Sequence, residues 1–223
     1  MKKMRLPKIK GLYAVTPDIA DTERLCSLVD ASLQGGASII QYRNKDASAT
    51  LRAEQADALL RLCRSRGVAF IINDHLNLCL SLDADGVHLG ADDGNLAKAK
   101  SQLGNHKILG VSCYNRLELA QEAKAQGADY VAFGSCFYSG TKPAAVHAPL
   151  ELISRARTGL RLPIVAIGGI TLENAGQAIN AGADAIAVIG ALFKAANVTL
   201  TAQQFSNLFT NTPHHDLSQP ATL

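Results

Sequence analysis

Short apolar runs recur along the chain, and most of them follow a polar, alanine-rich stretch that ends in Gly or Asp. The runs show little polar alternation, which is typical of strands that are buried on both faces of a parallel sheet. A glycine directly after a helix supplies the left-handed residue that ends it. The pattern therefore predicts eight strands, at 12–16, 38–43, 69–73, 86–89, 108–112, 130–134, 163–168 and 185–189.

Helical patterns separate the predicted strands. Leucine and valine recur at helical spacing in residues 21–34 and 50–65, and shorter helices are predicted at 116–126 and 172–180. Eight strand–helix units in 223 residues predict an α/β protein with a single-domain (β/α)8 TIM barrel. An open doubly wound sheet is the alternative, which we disfavour because no GxGxxG sequence follows the first strand.

The predicted barrel is the catalytic domain and occupies residues 11–210, after an N-terminal extension at 1–10. Residues 211–223 form a C-terminal tail with two prolines and no periodicity, so we expect it to be flexible. Two adjacent histidines in such a tail, His214 and His215, are more often without a role than a metal site.

Composition narrows the class of protein. A hydrophobic content of 48% with 18% charged residues allows a sizeable core, and a net charge of +3 is too small to favour a nucleic-acid partner. Five scattered cysteines without a CxxC pair favour a reducing compartment and no zinc site. No apolar stretch approaches the roughly 18 residues of a membrane span. We therefore expect a cytoplasmic protein without membrane contact.

Polar residues at alternating positions end the second predicted strand. Gln41, Arg43 and Lys45 share one face, because successive strand side chains point to opposite faces, and Tyr42 is expected to pack toward the helices. In such a barrel, function lies at the C-terminal ends of the strands. Arg43 and Lys45 therefore predict a bound anion, since forked guanidinium donors suit phosphate oxygens and lysine adds a point charge. The alternative is that both cations reach water.

Acidic residues follow the third and fourth predicted strands. Asn73 and Asp74 end strand three, and Asp93 follows strand four. Mg²⁺ typically takes one or two carboxylates together with water and phosphate oxygens, so Asp74 and Asp93 are candidate ligands. Helix capping is the alternative for Asp74, since Asp is a preferred N-cap residue. His88, within strand four, is expected to be a packed, hydrogen-bonded core residue.

The remaining strand ends carry hydroxyl groups, glycine and one lysine. Ser112 ends strand five, and small residues with donor groups follow strand six at Ser139, Gly140, Thr141 and Lys142. Small residues let backbone N–H groups approach an anion, although the same sequence also suits a plain turn. Gly169 and Gly190 follow strands seven and eight, where many such barrels bind phosphate. Two anion-binding regions would suit two phosphorylated substrates, with diphosphate as a leaving group.

Six short motifs in this order resemble the thiamine-phosphate synthase (thiamine-phosphate pyrophosphorylase) family. They are QYRNK, IIND, GVHLGADD, LGVS, SGTK and AIGGI, within residues 13–192. The resemblance implies a (β/α)8 barrel and a Mg²⁺ cofactor. It also implies a transferase of thiamine biosynthesis, which joins 4-amino-5-hydroxymethyl-2-methylpyrimidine diphosphate to hydroxyethylthiazole phosphate and releases diphosphate. The implied partners are these small molecules, without nucleic acid or membrane, and a homo-oligomer stays open.

The resemblance also implies roles for individual residues. Those expected to contact the pyrimidine diphosphate are Gln41, Arg43, Lys45, Asn73, Ser112 and Lys142. Those expected to bind the thiazole phosphate are Ser139, Gly140, Thr141, Gly169, Ile189 and Gly190. Asp74 and Asp93 would bind Mg²⁺. The catalytic set would be Arg43, Lys45, Ser112 and Lys142, which would stabilise a diphosphate that leaves by a dissociative path.

Four positions depart from the family pattern without removing a charge. Ala91 replaces a glutamine, Tyr138 and Ser139 replace a Pro-Thr pair, and Gly190 replaces a serine. A thiazole tautomerase-like relative would share the fold, but such relatives use a histidine after strand five, where this chain has Ser112 and Cys113. A Schiff-base aldolase and a non-catalytic thiamine-intermediate binding protein are less favoured functions for the same barrel.

Overall fold

The computed structural model describes residues 6–90, 94–138 and 147–210. Within them, eight parallel strands pair in sequence order and β8 pairs with β1, so the sheet closes into a barrel. The predicted (β/α)8 barrel is confirmed. Each predicted strand end either agrees with the observed one or differs from it by a single residue. The strands are β1 Gly11–Val15, β2 Ile39–Tyr42, β3 Ala69–Asn73, β4 Gly86–Gly90, β5 Ile108–Ser112, β6 Tyr130–Phe133, β7 Ile164–Ile167 and β8 Ala185–Val188.

Helices follow the strands and surround the barrel. They are α1 Thr22–Gln34, α2 Ala49–Arg66, α3 Leu76–Leu82, α4 Leu96–Leu103, α5 Leu117–Ala125, α6 Leu150–Leu160, α7 Ala175–Asn180, α8 Gly190–Phe193 and α9 Val198–Asn207. Side chains cap several of them: Asp21, Ser48 and Asn95 each accept a hydrogen bond from the backbone N–H three residues on. Gly67 ends α2 in the left-handed conformation.

The core has two layers, which explains why the strands lack polar alternation. Outward-facing residues such as Ile40, Ile72 and Val131 pack against the helices. Inward-facing residues such as Ile39 and Ile71 fill the barrel itself. Both faces of each strand are therefore buried, as expected for a parallel barrel.

The segment before β1 closes the N-terminal end of the barrel. Ile9 is only 6% exposed and belongs to the interior cluster, with Leu6 packed against it. Function in such barrels lies at the opposite, C-terminal end, where the strands run into the loops that carry the predicted site. None of the described helices is both long enough and apolar enough to cross a membrane.

Candidate functional site

The end of β2 is held in place by residues that follow β1. The Arg43 backbone N–H donates to the Thr16 hydroxyl at 2.8 Å, and that hydroxyl donates to the Arg43 carbonyl at 2.8 Å. Thr16 is fully buried. The backbone of Arg43 is therefore fixed at the barrel mouth, although β2 itself ends one residue earlier.

Asp18 fixes the side chain of the same arginine. Its carboxylate lies 3.2 Å from Arg43 Nη1, and it also accepts the Lys45 backbone N–H at 2.8 Å. The Arg43 side chain is 19% exposed, so it is largely sheltered while it still lines the cleft described next. This pairing restrains the Arg43 guanidinium at the barrel mouth.

A cleft of about 270 Å³ opens between the loops that follow β2 and β3. Its lining residues are Tyr42, Arg43, Asn44, Lys45, Arg52, Asn73, Asp74 and His75. Both odd-numbered and even-numbered residues after β2 line this cleft. The alternation of side chains between two faces ends with the strand, at Tyr42. The lining carries three cations and a single carboxylate, so the cleft suits an anion, with the carboxylate available to a bound cation.

A second, larger cleft of about 620 Å³ adjoins the first. Arg52, Asp74 and His75 line both clefts, and residues of α3 form the outer part. Burial, and then the charge of Arg52, lower the pKa of His75. The histidine is therefore neutral at pH 7, and the positive charge of the clefts comes from arginine and lysine.

Asp74 turns the chain sharply at the end of β3. Its φ is +63°, and its backbone N–H donates to the His88 carbonyl at 2.9 Å. The alternative that Asp74 caps the next helix is wrong, because the N-cap residue of α3 is His75 and no side chain caps that helix. The Asp74 carboxylate is exposed, and none of the described residues forms a hydrogen bond or ion pair with it.

A chain of hydrogen bonds crosses the barrel interior beneath the mouth. Gln41 Nε2 donates to Tyr13 Oη at 2.8 Å, and Tyr13 Oη lies 2.7 Å from Tyr130 Oη. Tyr130 Oη lies 2.8 Å from His88 Nδ1, and His88 Nε2 lies 2.8 Å from Ser112 Oγ. The prediction that His88 is a packed, hydrogen-bonded core residue is confirmed. Side chains from β1, β2, β4, β5 and β6 thus form one polar layer inside an apolar barrel.

One assignment of the hydrogens gives each of these four hydrogen bonds a donor and an acceptor and uses both phenol hydrogens. Tyr13 accepts from Gln41 and donates to Tyr130, which donates to His88 Nδ1. A neutral His88 then carries its proton on Nε2 and donates to Ser112 Oγ, which leaves the Ser112 hydroxyl hydrogen for an acceptor in the mouth. Burial raises the pKa of both Tyr13 and Tyr130, so both phenols stay protonated and can donate.

Gly110 makes room for this layer. A Cβ at Gly110 would lie 2.1 Å from Cζ of Tyr130 and 2.3 Å from its Oη. The Tyr130 ring therefore occupies the place of the missing side chain and packs against Tyr13 edge to face, with ring centroids 6.0 Å apart. Only glycine fits opposite a fully buried ring at this distance.

The second predicted anion region lies where the loop after β6 meets β7. Cys136 N–H donates to the Ile167 carbonyl and Phe137 N–H to the Gly168 carbonyl, both at 3.0 Å. A Cβ at Gly169, where φ is +64°, would lie 2.5 Å from the carbonyl oxygens of Phe137 and Tyr138. Glycine is required here because of its positive φ and because a side chain would collide with these carbonyl oxygens. The same close approach places the start of the loop after β6 beside Gly169.

Gly190 is the first residue of α8, and Ile189 precedes it as the N-cap residue. The first N–H groups of a helix have no partner within the helix and point toward its N-terminal end. A Cβ at Gly190 would meet no atom within 4 Å. The space beside Gly190 therefore admits the Cβ of the serine that the family resemblance implies at this position.

The Tyr42 prediction is confirmed in its direction. Tyr42 is buried, and its hydroxyl donates to Gln55 Oε1 of α2 at 2.9 Å. Gln55 Nε2 donates in turn to the Ile19 carbonyl at 2.8 Å. The second turn of α2 thus ties the end of β2 to the loop after β1.

Cys113, directly after β5, packs in the core. The residue is fully buried, and burial raises the pKa of its thiol to about 12. At neutral pH the thiol is therefore protonated and poorly nucleophilic.

Comparison with known proteins adds what geometry alone does not give. Residues 12–192 match the family described as thiamine monophosphate synthase, which is more than half of the chain. The chain belongs to the thiamine monophosphate synthase family. The family resemblance seen in the six motifs is thereby confirmed, and the match runs from β1 to α8.

Individual members of the thiamine monophosphate synthase family align over nearly their full length. Thiamine-phosphate synthase of Methylobacillus flagellatus is 57% identical over 209 residues, covering 94% of this chain and all of that protein. The enzyme of Chromobacterium violaceum is 52% identical, covering 91% of this chain and 98% of the other. The protein is therefore an enzyme of this family, with small molecules as its substrates.

Solved structures agree with the family assignment. Thiamine phosphate pyrophosphorylase from Pyrococcus furiosus has a TM-score of 0.79 at 34% identity, covering 90% of this chain and 95% of that one. A 3-hexulose-6-phosphate synthase reaches a TM-score of 0.68 at 19% identity, which shows a shared fold and no more.

Some residues predicted from the family motifs lie outside the described part of the chain: Asp93, Ser139, Gly140, Thr141 and Lys142. Among the others, the structure brings Arg43, Lys45, Asn73 and Asp74 together in one cleft. Gln41 and Ser112 lie at the two ends of the interior hydrogen-bond chain. The roles assigned to these residues stay predictions.

Sequence reasoning missed several residues that shape the site of this family member. Tyr13 and Tyr130 are strand residues with inward parity, a feature visible in the sequence, but nothing there shows that their hydroxyls meet. Thr16 and Asp18 follow the first predicted strand and could have been found by considering polar residues at every strand end. Arg52 lies on a helix, so the pattern of polar residues at strand ends does not point to it.

Proposed function

We propose that the protein is a transferase that joins 4-amino-5-hydroxymethyl-2-methylpyrimidine diphosphate to hydroxyethylthiazole phosphate, forming thiamine phosphate and releasing diphosphate. The observation that carries the proposal is the cleft in which Arg43, Lys45 and Asp74 lie together, in a chain of this family. Five unpaired thiols favour a reducing compartment, the cytoplasm, as the place of the reaction.

The diphosphate occupies the cationic cleft in this proposal. Arg43 is held open toward the cleft by Thr16 and Asp18, so its forked donors need little reorganisation to bind phosphate oxygens. Lys45 is exposed on the same wall and adds a second charge. Lys142 would complete the set from the loop after β6. Together these cations stabilise the charge that develops on the leaving diphosphate.

Asp74 and Asp93 are the proposed Mg²⁺ ligands. The Asp74 carboxylate fits this role, because it is exposed in the cleft and none of the described residues binds it. No cluster of three or more metal-ligating side chains lies within the described residues. Mg²⁺ does not need one, since substrate phosphate and water supply its other ligands. When bound, the ion would neutralise charge on the diphosphate oxygens.

The pyrimidine is proposed to lie at the top of the barrel interior, between Gln41 and Ser112. The hydrogen-bond chain fixes both side chains from below, and it leaves the Ser112 hydroxyl hydrogen for a ring nitrogen. Asn73, half-buried at the end of β3, faces the same cleft and adds an amide. A ring held in one orientation places its exocyclic carbon below the diphosphate.

The thiazole phosphate is proposed to bind on the opposite side of the mouth. Gly169, Ile189 and Gly190 would supply backbone N–H groups, and Ser139 to Thr141 would add donors from the β6 loop. The hydrogen bonds that join this loop to the end of β7 support the proposal, since they bring the two segments together.

Bond breaking would precede bond formation. The carbon–oxygen bond to diphosphate breaks, its electron pair leaves with the diphosphate, and the thiazole nitrogen then supplies the pair for the new carbon–nitrogen bond. An amino-substituted pyrimidine can stabilise the intervening positive charge. No protein nucleophile is needed, which agrees with the protonated, buried thiol of Cys113.

The purified protein tests the proposal with both substrates and Mg²⁺. We expect diphosphate release only when the pyrimidine diphosphate and the thiazole phosphate are present together. EDTA should abolish the release and added Mg²⁺ should restore it. Release without the thiazole phosphate at the same rate would indicate hydrolysis, and release unaffected by EDTA would contradict the metal assignment.

A further inference from the structure

Arg52 is a cation of the cleft that comes from a helix rather than from a strand end. It lies at the fourth position of α2, one turn after the N-cap residue Ser48. Its Nη2 donates to the Ala47 carbonyl at 2.7 Å, which fixes the guanidinium beside the loop between β2 and α2. The side chain lines both clefts, together with Asp74 and His75.

The Nε atom of Arg52 is buried, and no described group accepts a hydrogen bond from it. Buried donors are almost always paired in folded proteins, because a buried N–H without an acceptor costs free energy. Arg52 lines the adjoining clefts, so an anion bound there would supply the missing acceptor once the guanidinium turns Nε toward it. Within the described side chains, this is the single buried nitrogen or oxygen atom that lacks a partner.

The arginines further along α2 differ from Arg52. Arg61 pairs with Asp57, Arg64 with Asp83 and Arg66 with Asp30. Arg52 forms no ion pair with a carboxylate among the described residues. Its charge acts on the cleft wall instead: burial raises the pKa of Tyr42 to about 12, and Arg52 opposes that rise.

We propose that Arg52 binds the terminal phosphate of the pyrimidine diphosphate, through Nε and the free edge of its guanidinium. This inference rests on the proposed function. Arg43 and Lys45 reach the cleft from the end of β2, near the barrel axis, whereas Arg52 reaches it from the surrounding helix layer. A diphosphate that extends outward from a pyrimidine in the barrel therefore meets Arg52 with the phosphate farther from the ring.

Three variants test the proposal: Arg52→Met, Arg52→Lys, and Arg61→Met as a control. Arg61 lies nine positions further along α2, on its opposite face, with a side chain that is 69% exposed. The first measurement is calorimetric titration of each folded protein with inorganic diphosphate and Mg²⁺. We expect Arg52→Met to raise the dissociation constant about tenfold or more, and Arg61→Met to leave it within about twofold.

The second measurement separates binding from a structural role. Hydroxymethylpyrimidine monophosphate lacks the terminal phosphate, so its inhibition constant should stay within about twofold in Arg52→Met, while that of the diphosphate form rises about tenfold. The KM for thiazole phosphate should not change. An equal loss of affinity for all three compounds, with a lowered melting temperature, would mean that Arg52 only supports the loop at Ala47 and would overturn the proposal.

Arg52→Lys keeps the charge and loses the Nε donor, and it carries the test if Arg52→Met does not fold. We expect Arg52→Lys to bind diphosphate about threefold or more weakly than the wild type does. If Arg52→Lys binds diphosphate as tightly as the wild type, the proposed contact through Nε is overturned. Product formation by the wild type is measured in parallel. If the wild type forms no thiamine phosphate, the proposed function is rejected. If Arg52→Met binds diphosphate as tightly as the wild type, only the proposed role of Arg52 is rejected.

Discussion

At the scale of single residues, the site depends on groups that hold the charged side chains as much as on the charges themselves. Thr16 gives and receives one hydrogen bond with the backbone of Arg43, and Asp18 binds its guanidinium. Both residues follow β1, the strand beside β2 in the barrel. The position of the main cation is thus set by the neighbouring strand before any substrate arrives.

Replacing Thr16 with valine tests this arrangement. The side chain keeps its shape but both hydrogen bonds are lost, which leaves two part-buried backbone groups unpaired at a cost of about 1–3 kcal/mol. We expect kcat/KM for the pyrimidine diphosphate to fall about tenfold, because Arg43 is less well positioned. Steady-state kinetics in both substrates measure this.

Thr22→Val is the matched control. The Thr22 hydroxyl also makes a hydrogen bond, to Glu54 at 2.6 Å, but it lies exposed between α1 and α2. We expect its kinetics to equal those of the wild type. If the kinetics of Thr16→Val also equal those of the wild type, the positioning role of Thr16 is contradicted.

At the scale of elements, the polar layer inside the barrel depends on a glycine in β5. Gly110→Ala would place a Cβ about 2.1 Å from a Tyr130 ring that is fully buried and held by Tyr13 and His88. The ring has to move, and the hydrogen-bond chain to Ser112 breaks with it. We expect a loss of about 3 kcal/mol or more and a melting temperature lower by roughly 6–12 °C.

Gly159→Ala in α6 is the control for Gly110→Ala. A Cβ there would meet no atom within 4 Å, and the residue is helical. Alanine should therefore stabilise the protein by up to about 1 kcal/mol. Thermal unfolding of the two variants measures the difference; a similar melting temperature in both would contradict the close packing of Tyr130 on β5.

The elements themselves were largely predictable, and the reason is physical. Strands of a closed parallel barrel are buried on both faces, so they form continuous apolar runs that are visible without knowledge of their neighbours. The strand ends that carry Arg43, Asp74 and Gly169 were found by the same logic. The hydrogen-bond chain was not, because it joins residues from Tyr13 to Tyr130 whose contact depends on the register across the barrel.

Arg52 and Asp74 show two further limits of prediction from sequence. From the sequence, Asp74 is nearly as well suited to capping α3 as to binding a metal, and only the backbone conformation at the turn decides against capping. Arg52, like Arg61 and Arg64, is an arginine of α2. What distinguishes it is a buried atom without a partner, and burial of single atoms is a property of packing.

At the scale of the whole molecule, buried thiols make stability depend on pH. Burial raises the pKa of Cys63 and Cys113 to about 12, and that of Cys79 and Cys136 to about 11. The unfolded chain loses these protons near pH 9, whereas the folded protein keeps them. Their contribution is therefore fully present below pH 9 and is lost as pH rises toward 11–12.

The expected size of this effect at pH 10 is about 1.4 kcal/mol for each thiol, or roughly 5–6 kcal/mol for the four together. Urea unfolding at pH 8 and pH 10 measures it. Cys26 is only partly buried. At pH 8, iodoacetamide should therefore label Cys26 of the native protein and leave the four buried cysteines unlabelled. Equal stability at both pH values, or rapid labelling of all five thiols, would contradict this account.

The whole barrel gathers the cationic cleft, the interior polar layer and the glycines after β7 and β8 at one end, where we propose that thiamine phosphate forms. The most direct measurement is thiamine phosphate formation by the wild type and by Arg43→Ala, with both substrates and Mg²⁺. We predict product from the wild type, and turnover at least about 100-fold lower in a variant that keeps its melting temperature. No product from the wild type, or a wild-type rate in Arg43→Ala, would contradict the account.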